Sequence, residues 1–205
     1  MKRITRLLIV LIGLTSCTGE FEARKEVQLT IKEYAMDSSS IRSIEVLNDS
    51  TLLYASSKGV IGEVTRQGKV KILKKIKTDS LTPHFRSMAK TNSALYALNI
   101  GNPGFIYQYN FERDTVRIVY EERHEKVFYD SMQFFDDLNG IAMGDPTDSC
   151  LSVLITKDGG NTWQKINCDI LPEVIEGEAA FAASNTNIAI SGTHAWIATG
   201  GKKAR

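Results

Sequence analysis

Long apolar runs, histidine and cysteine are all scarce in this sequence, and each scarcity excludes something. The one sustained apolar stretch, Leu7–Leu14, is too short to span a bilayer comfortably, so a polytopic membrane protein is excluded. Of three cysteines, Cys150 and Cys168 lie far from the N-terminus and have no histidine near them in sequence, so they fill no common metal site and no metal is expected. No Gly-x-Gly-x-x-Gly, Cys-x-x-Cys-His or copper-binding cluster occurs, and no cofactor is expected. Gly-x-Ser-x-Gly and a Ser/His/Asp order are missing as well, so no complete catalytic set is visible. Charge of one sign is also lacking, with 25 basic against 24 acidic residues. That balance gives no electrostatic case for nucleic acid as a partner. Outside the N-terminus no amphipathic helical pattern of ten or more residues appears, while β-branched and aromatic residues dominate.

The N-terminus carries an address. Lys2, Arg3 and Arg6 precede the apolar run, and Leu14-Thr15-Ser16-Cys17 follows it. This arrangement resembles the bacterial lipobox, which implies a signal peptide over residues 1–16 and lipidation of Cys17. Residues 17–26 then read as a polar tether, and the expected partner is the membrane, through the lipid anchor, in the bacterial cell envelope. An uncleaved anchor or a conventional signal peptide is the competing reading.

What the chain has in quantity is internal repetition. Leu52-Leu53-Tyr54-Ala55 returns 42 residues later as Ala94-Leu95-Tyr96-Ala97, and Asn139-Gly140-Ile141-Ala142 returns 47 residues later as Thr186-Asn187-Ile188-Ala189. Ahead of these strands lie Ile41-Arg42-Ser43-Ile44, Phe85-Arg86-Ser87-Met88, Tyr129-Asp130-Ser131-Met132 and Glu178-Ala179-Ala180-Phe181, spaced by 44, 44 and 49 residues. Within the first unit the pattern predicts strands over residues 41–47, 51–56, 60–65 and 69–76, with turns at Asn48-Asp49-Ser50, Ser57-Lys58-Gly59 and Gln67-Gly68. Units of this length suit four-stranded propeller blades. The expectation is an all-β propeller domain over residues 27–205, with blades at about 41–76, 85–120, 129–168 and 178–205. The last is incomplete, giving a C-terminally truncated ring of about four blades. A β-sandwich with chance similarity between strands is the alternative.

The sharpest motif is Thr156-Lys157-Asp158-Gly159-Gly160-Asn161-Thr162-Trp163, which resembles the Asp-box (BNR) signature. Its chemistry is that of a turn: Asp158 accepts backbone hydrogen bonds, the glycines supply φ > 0, and Trp163 packs beneath a neighbouring strand. Thr156, Asp158, Gly160, Thr162 and Trp163 are therefore structural candidates. Cys150 and Cys168 flank this hairpin at equal distance, which makes a cross-strand disulfide possible, with two unpaired thiols as the alternative. Together with Gly140–Pro146 and Gly177–Ser184, the motif resembles sialidase-type BNR propellers and photosystem II stability/assembly factor-like repeat proteins. That resemblance implies a propeller of more than four blades, and some relatives carry sialidase or oxidoreductase labels.

Residues at the start of each innermost strand are expected to converge at one mouth of a channel. Those positions hold Arg42, Arg86, Asp130 and Glu178, with Tyr129, Asp145, His84 and His194 as neighbours. Two arginines opposite carboxylates suit a zwitterionic or hydroxyl-rich ligand; mutual neutralisation is the plainer reading. The favoured function is a membrane-anchored scaffold for a protein or glycan partner. A BNR-type glycan hydrolase using Asp130, Asp145 or Glu178 is the alternative, and an oxidoreductase a weaker one.

Overall fold

The computed structural model describes residue 23 and residues 26–34, 39–78, 81–180 and 185–202. Cys17, the apolar run and most of the predicted tether lie outside the described residues, as do residues 181–184. The chain divides into two units, Met1–Ala35 and Met36–Arg205. In the first, residues 26–34 carry no regular secondary structure and are exposed.

The second unit is built from strands. β1 (Ile41–Asn48), β2 (Thr51–Ser56), β3 (Val60–Thr65) and β4 (Val70–Lys75) form one antiparallel sheet in sequential order. β5 (Phe85–Lys90), β6 (Ala94–Asn99), β7 (Gly104–Asn110) and β8 (Thr115–Glu122) repeat it. β9 (Tyr129–Phe134), β10 (Gly140–Gly144), β11 (Ser152–Thr156) and β12 (Gln164–Lys165) repeat it again. Each sheet starts within a residue or two of the place the repeat predicts.

The sheets stack because both faces of each strand pattern are largely apolar. Leu53, Ala55 and Ile61, from the back of the first blade, share a core with Met88, Leu95, Ala97, Tyr107 and Tyr109 from the front of the second. The back of the second blade (Ala89, Tyr96, Leu98, Ile106) meets Met132, Ala142, Leu154 and Trp163 from the front of the third. Side chains such as Leu53, Ile61 and Met132 are fully buried, each worth about 1.5–3 kcal/mol relative to exposure.

The fourth unit departs from the expected order. β13 (Glu178–Ala180) pairs with β16 (Thr199–Gly201), while β14 (Ile188–Ser191) pairs with β15 (His194–Ile197). The stretch Ala195–Gly201 is broken at Ala198, whose N–H donates to the Asn187 carbonyl at 2.9 Å. Its first half stays on β14 and its second half turns to β13. Ala180 and Ile188 pack on Met143 at the back of the third blade. The sheets are open, as in an incomplete ring.

The Thr156–Trp163 turn is held by its own side chains. The Thr156 hydroxyl donates to Asp158 at 2.8 Å and accepts from the Gly160 N–H at 2.9 Å. Asp158 also accepts from the Thr162 N–H at 3.0 Å and the Thr162 hydroxyl at 2.7 Å. Burial alone would raise the Asp158 pKa, but these donors outweigh it and hold the carboxyl below its ordinary value. Gly160 has φ +75°, and a Cβ there would lie 2.4 Å from the Tyr96 ring. The Tyr96 hydroxyl donates to the Gly159 carbonyl, which pins the turn to the second blade. Cys150 and Cys168 are disulfide-bonded, with Cα atoms 5.4 Å apart. The bond does not cross the β11–β12 ladder; Cys150 instead bridges Glu173, and Cys168 opens a short 3-10 turn.

Candidate functional site

Arg42, Arg86 and Asp130 are each the second residue of an innermost strand, β1, β5 and β9. The 44-residue spacing therefore brings them to equivalent corners of adjacent blades. The serines that follow them, Ser43, Ser87 and Ser131, are buried and tie the strands together. The Met88 N–H donates to the Ser43 hydroxyl at 3.0 Å. Asn185 supplies the next ties: its Oδ1 accepts from the Met132 N–H at 3.2 Å and its amide donates to the Met88 carbonyl at 2.8 Å. It also pairs with the Ser87 hydroxyl.

Asp130 is completely buried, and neither carboxylate oxygen has a hydrogen-bond partner among the described residues. Burial first, and the Asp145 carboxylate second, push its pKa from 3.8 up to about 7, against the opposing pull of Arg86. Asp145 is itself raised by burial, partly offset by the Ala180 N–H donating to its Oδ1 at 2.9 Å. Its own N–H donates to the Phe128 carbonyl at 2.8 Å. That approach needs Gly144 alongside, where a Cβ would sit 2.3 Å from the same oxygen. The Arg86 guanidinium lies over the Phe128 ring, 5.8 Å from its centroid. Burial, then repulsion from Arg42, lowers the Arg86 pKa, while Asp130 counters the shift.

His84 completes the group. Its backbone N–H donates to Asn99 Oδ1 at 2.8 Å, and its buried Nε2 has no hydrogen-bond partner among the described residues. Burial, then Arg86 and Arg42, lower its pKa, so the ring is held neutral. Arg42 is exposed and donates from Nε to the Ser40 hydroxyl at 3.0 Å.

Of the residues singled out in the sequence, Arg42, His84, Arg86, Asp130 and Asp145 act on one another electrostatically. Three others stand apart. Tyr129 turns into the core between the second and third blades, 1% exposed, and donates to Glu122 at 2.5 Å. Its phenol is driven upward by burial and by Glu122, which suits packing and not nucleophilic chemistry. Glu178 is occupied inside the fourth unit: it accepts from the Ile175 N–H at 2.9 Å and the Thr199 hydroxyl at 2.8 Å. It does line, with Asp145, Pro146 and Lys126, an open depression of about 530 Å³. His194 stacks on Trp196, 6.0 Å between ring centroids, in the β14–β15 hairpin.

One network had no sequence signal strong enough to find it. Glu122 accepts from Tyr120 at 2.9 Å, from Tyr129, and from Lys165 at 2.5 Å. Burial would raise Glu122, but Lys165 and the two phenols together hold it below 4.5. This knot joins the second blade to the third.

No family model matches the chain, and no curated protein is similar to it in sequence. Among solved structures it superposes on YCF48 bound to a D1 peptide with a TM-score of 0.50 at 11% identity, over 79% of this chain and 50% of that one. The fold is a β-propeller. YCF48 from Cyanidioschyzon merolae gives a TM-score of 0.47 at 13% identity, covering 80% of this chain and 48% of that one. The WD40 repeats of RRP9 give 0.46 at 15%, covering 64% and 40%. The chain thus spans about half the length of the propellers it resembles.

Proposed function

We propose that this protein is a binding propeller which holds a polypeptide segment of a partner on the mouth formed by Arg42, His84, Arg86, Asp130 and Asp145. In this reading Cys17 carries a lipid that tethers the propeller to a membrane of the bacterial cell envelope. The observation that carries the proposal is Asp130: a fully buried carboxyl whose two oxygens have no hydrogen-bond partner among the described residues, beside Asp145 and Arg86. A buried acceptor without a donor costs about 1–3 kcal/mol, a cost that a ligand's donors would remove on binding. A polypeptide is favoured as ligand because it offers N–H donors and charged side chains, and because a peptide is what the YCF48 structure holds.

The test is binding of the full chain to an array of short peptides, with Asp130→Asn and Arg86→Gln alongside. The wild type is expected to select a subset of peptides and both variants to lose it by tenfold or more. An unchanged pattern in both variants would remove the mouth from the reading.

A second reading, a BNR-type glycan hydrolase, is favoured by one observation: a carboxyl titrating at about 7 is suited to act as a general acid. Turnover of a sialoside or other glycoside, abolished in Asp130→Asn, would promote it over the first. Tyr129 and Glu122 offer it no nucleophile, since Tyr129 is buried between the second and third blades and donates to Glu122 there.

A further inference from the structure

From Gln164 to Gly177 no residue is buried, although this arm runs between the buried Trp163 and the buried Glu178. A segment without buried side chains contributes little packing of its own, and such segments open locally while the rest of a fold stays intact. Its attachments gather at one edge of the third blade. The Val174 N–H donates to the Ser149 carbonyl at 2.8 Å, Cys150 bridges Glu173, and Cys150 is bonded to Cys168 near the start of the arm. Leu171, Pro172 and Val174 of the arm line, together with Leu151, Val153 and Ile197, an apolar pocket of about 180 Å³. Val174–Gly177 wall the open depression that contains Asp145. The disulfide itself is reachable. Both of its cysteines line an open cavity of about 610 Å³, with Thr147, Asp148, Lys165 and Asn167 around them. Cys150 is 3% exposed and Cys168 half-buried, so Cys168 presents the sulfur to an incoming group.

We propose that Cys150–Cys168 is a thiol-exchange site for a dithiol reductant and the latch of this arm. A thiolate of the reductant attacks Cys168 Sγ; the bond to Cys150 breaks, and Cys150 leaves as a thiolate that takes up a proton. The reductant's second thiol, on losing its proton, attacks the mixed disulfide and frees Cys168. The protein thus gains two electrons and two protons, and the reductant ends as a disulfide. With the bond gone, the contacts of the arm at Ser149 and Cys150 must by themselves overcome the entropy of closing the loop. Release opens the apolar pocket and the wall beside Asp145. Asp145 belongs to the mouth, so on the reading proposed above the latch also shapes one side of the ligand site.

The full chain in native buffer with millimolar dithiothreitol is expected to show two more alkylatable cysteines than before treatment, with its circular dichroism unchanged. A glutamate-specific protease is then expected to cut after Glu173 and Glu176 about tenfold faster than in the oxidised protein, while Glu45, Glu63 and Glu121 in the first two blades stay uncut. The Cys150→Ser/Cys168→Ser variant is expected to be cut at the fast rate with or without reductant, and reoxidation of the wild type to restore the slow one. A bond that yields only in denaturant overturns the exchange site. Equal cleavage of the oxidised and reduced arm overturns the latch, as does faster cleavage at all five glutamates, which would mean that the bond supports the whole stack. None of these readouts depends on what the mouth binds, so a negative result leaves the peptide reading to its own test.

Discussion

Asp130 makes the most demanding prediction, because its burial has a sign and a size. In the unfolded chain this carboxyl loses its proton near 3.8, and in the folded protein near 7. Between those values the folded state holds the extra proton, so raising the pH through the window favours unfolding. The destabilisation is absent below pH 3.8 and complete above pH 7. A shift of about three units at about 1.4 kcal/mol each sets an upper bound of about 4 kcal/mol. Asp130→Asn removes the titration. The variant is therefore expected to melt higher than the wild type at pH 8, by about 2–4 °C for each kcal/mol recovered, and to match it more closely at pH 4. Thermal unfolding followed by circular dichroism across pH 4–8 measures the difference directly. Carbonyl-labelled aspartate NMR reads the midpoint itself, which should fall in Asp145→Asn and rise in Arg86→Gln. Parallel pH profiles for wild type and Asp130→Asn would refute the reasoning, for they would mean that Asp130 ionises in the folded state as freely as in water.

Three further outcomes are expected. Gly160→Ala combines a strained φ with a Cβ 2.4 Å from the Tyr96 ring and should cost about 2–4 kcal/mol in urea denaturation; a change under about 0.5 kcal/mol would contradict the turn geometry. The Cys150→Ser/Cys168→Ser double variant opens a loop of 18 residues and should lose about 3 kcal/mol, matched by reducing the wild type. Lys165→Met withdraws the leading donor to Glu122, whose lowered pKa contributes stability above 4.5 that is lost as pH falls through the folded value. The variant should therefore be less stable than wild type at pH 7 and converge with it in acid; equal stability at pH 7 would place the pair among ion pairs that contribute nothing.

The blades were legible in the sequence because a period of 44 residues reports the stacked unit, whatever its neighbours do. Ile41, Phe85 and Tyr129 each open an innermost strand as the repeat requires. The turn at Thr156–Trp163 was legible for a different reason: its hydrogen bonds span no more than four residues. The matching placement of Arg42, Arg86 and Asp130 was legible, since equivalent positions in a repeat must arrive at equivalent corners. Tyr129 misled because adjacent residues on a strand need not face the same way, and Glu178 because its bonding partners lie in a loop and a distant strand. The Glu122–Lys165 pair lies 43 residues apart and depends on how two sheets are offset, which no pattern within either sheet encodes. Nothing in the sequence around Asn185 shows its amide reaching back 97 residues to Met88.

The tie between Tyr96 and Gly159 has a consequence for how the chain reaches this state. Tyr96 sits in the middle of the second blade with no exposure, yet its hydroxyl is satisfied by a carbonyl 63 residues further on, as well as by Gln108 at 2.8 Å. During synthesis from the N-terminus the second blade is complete in sequence long before residue 159 exists. Until then the phenol keeps a donor without its native acceptor, and the apolar back of the blade faces water. Contacts at such separations must overcome loop-closure entropy before they stabilise anything, which slows folding. Each blade is thus a poor folding intermediate by itself, and the smallest segment that can hold the second blade in its native form extends through the turn of the third.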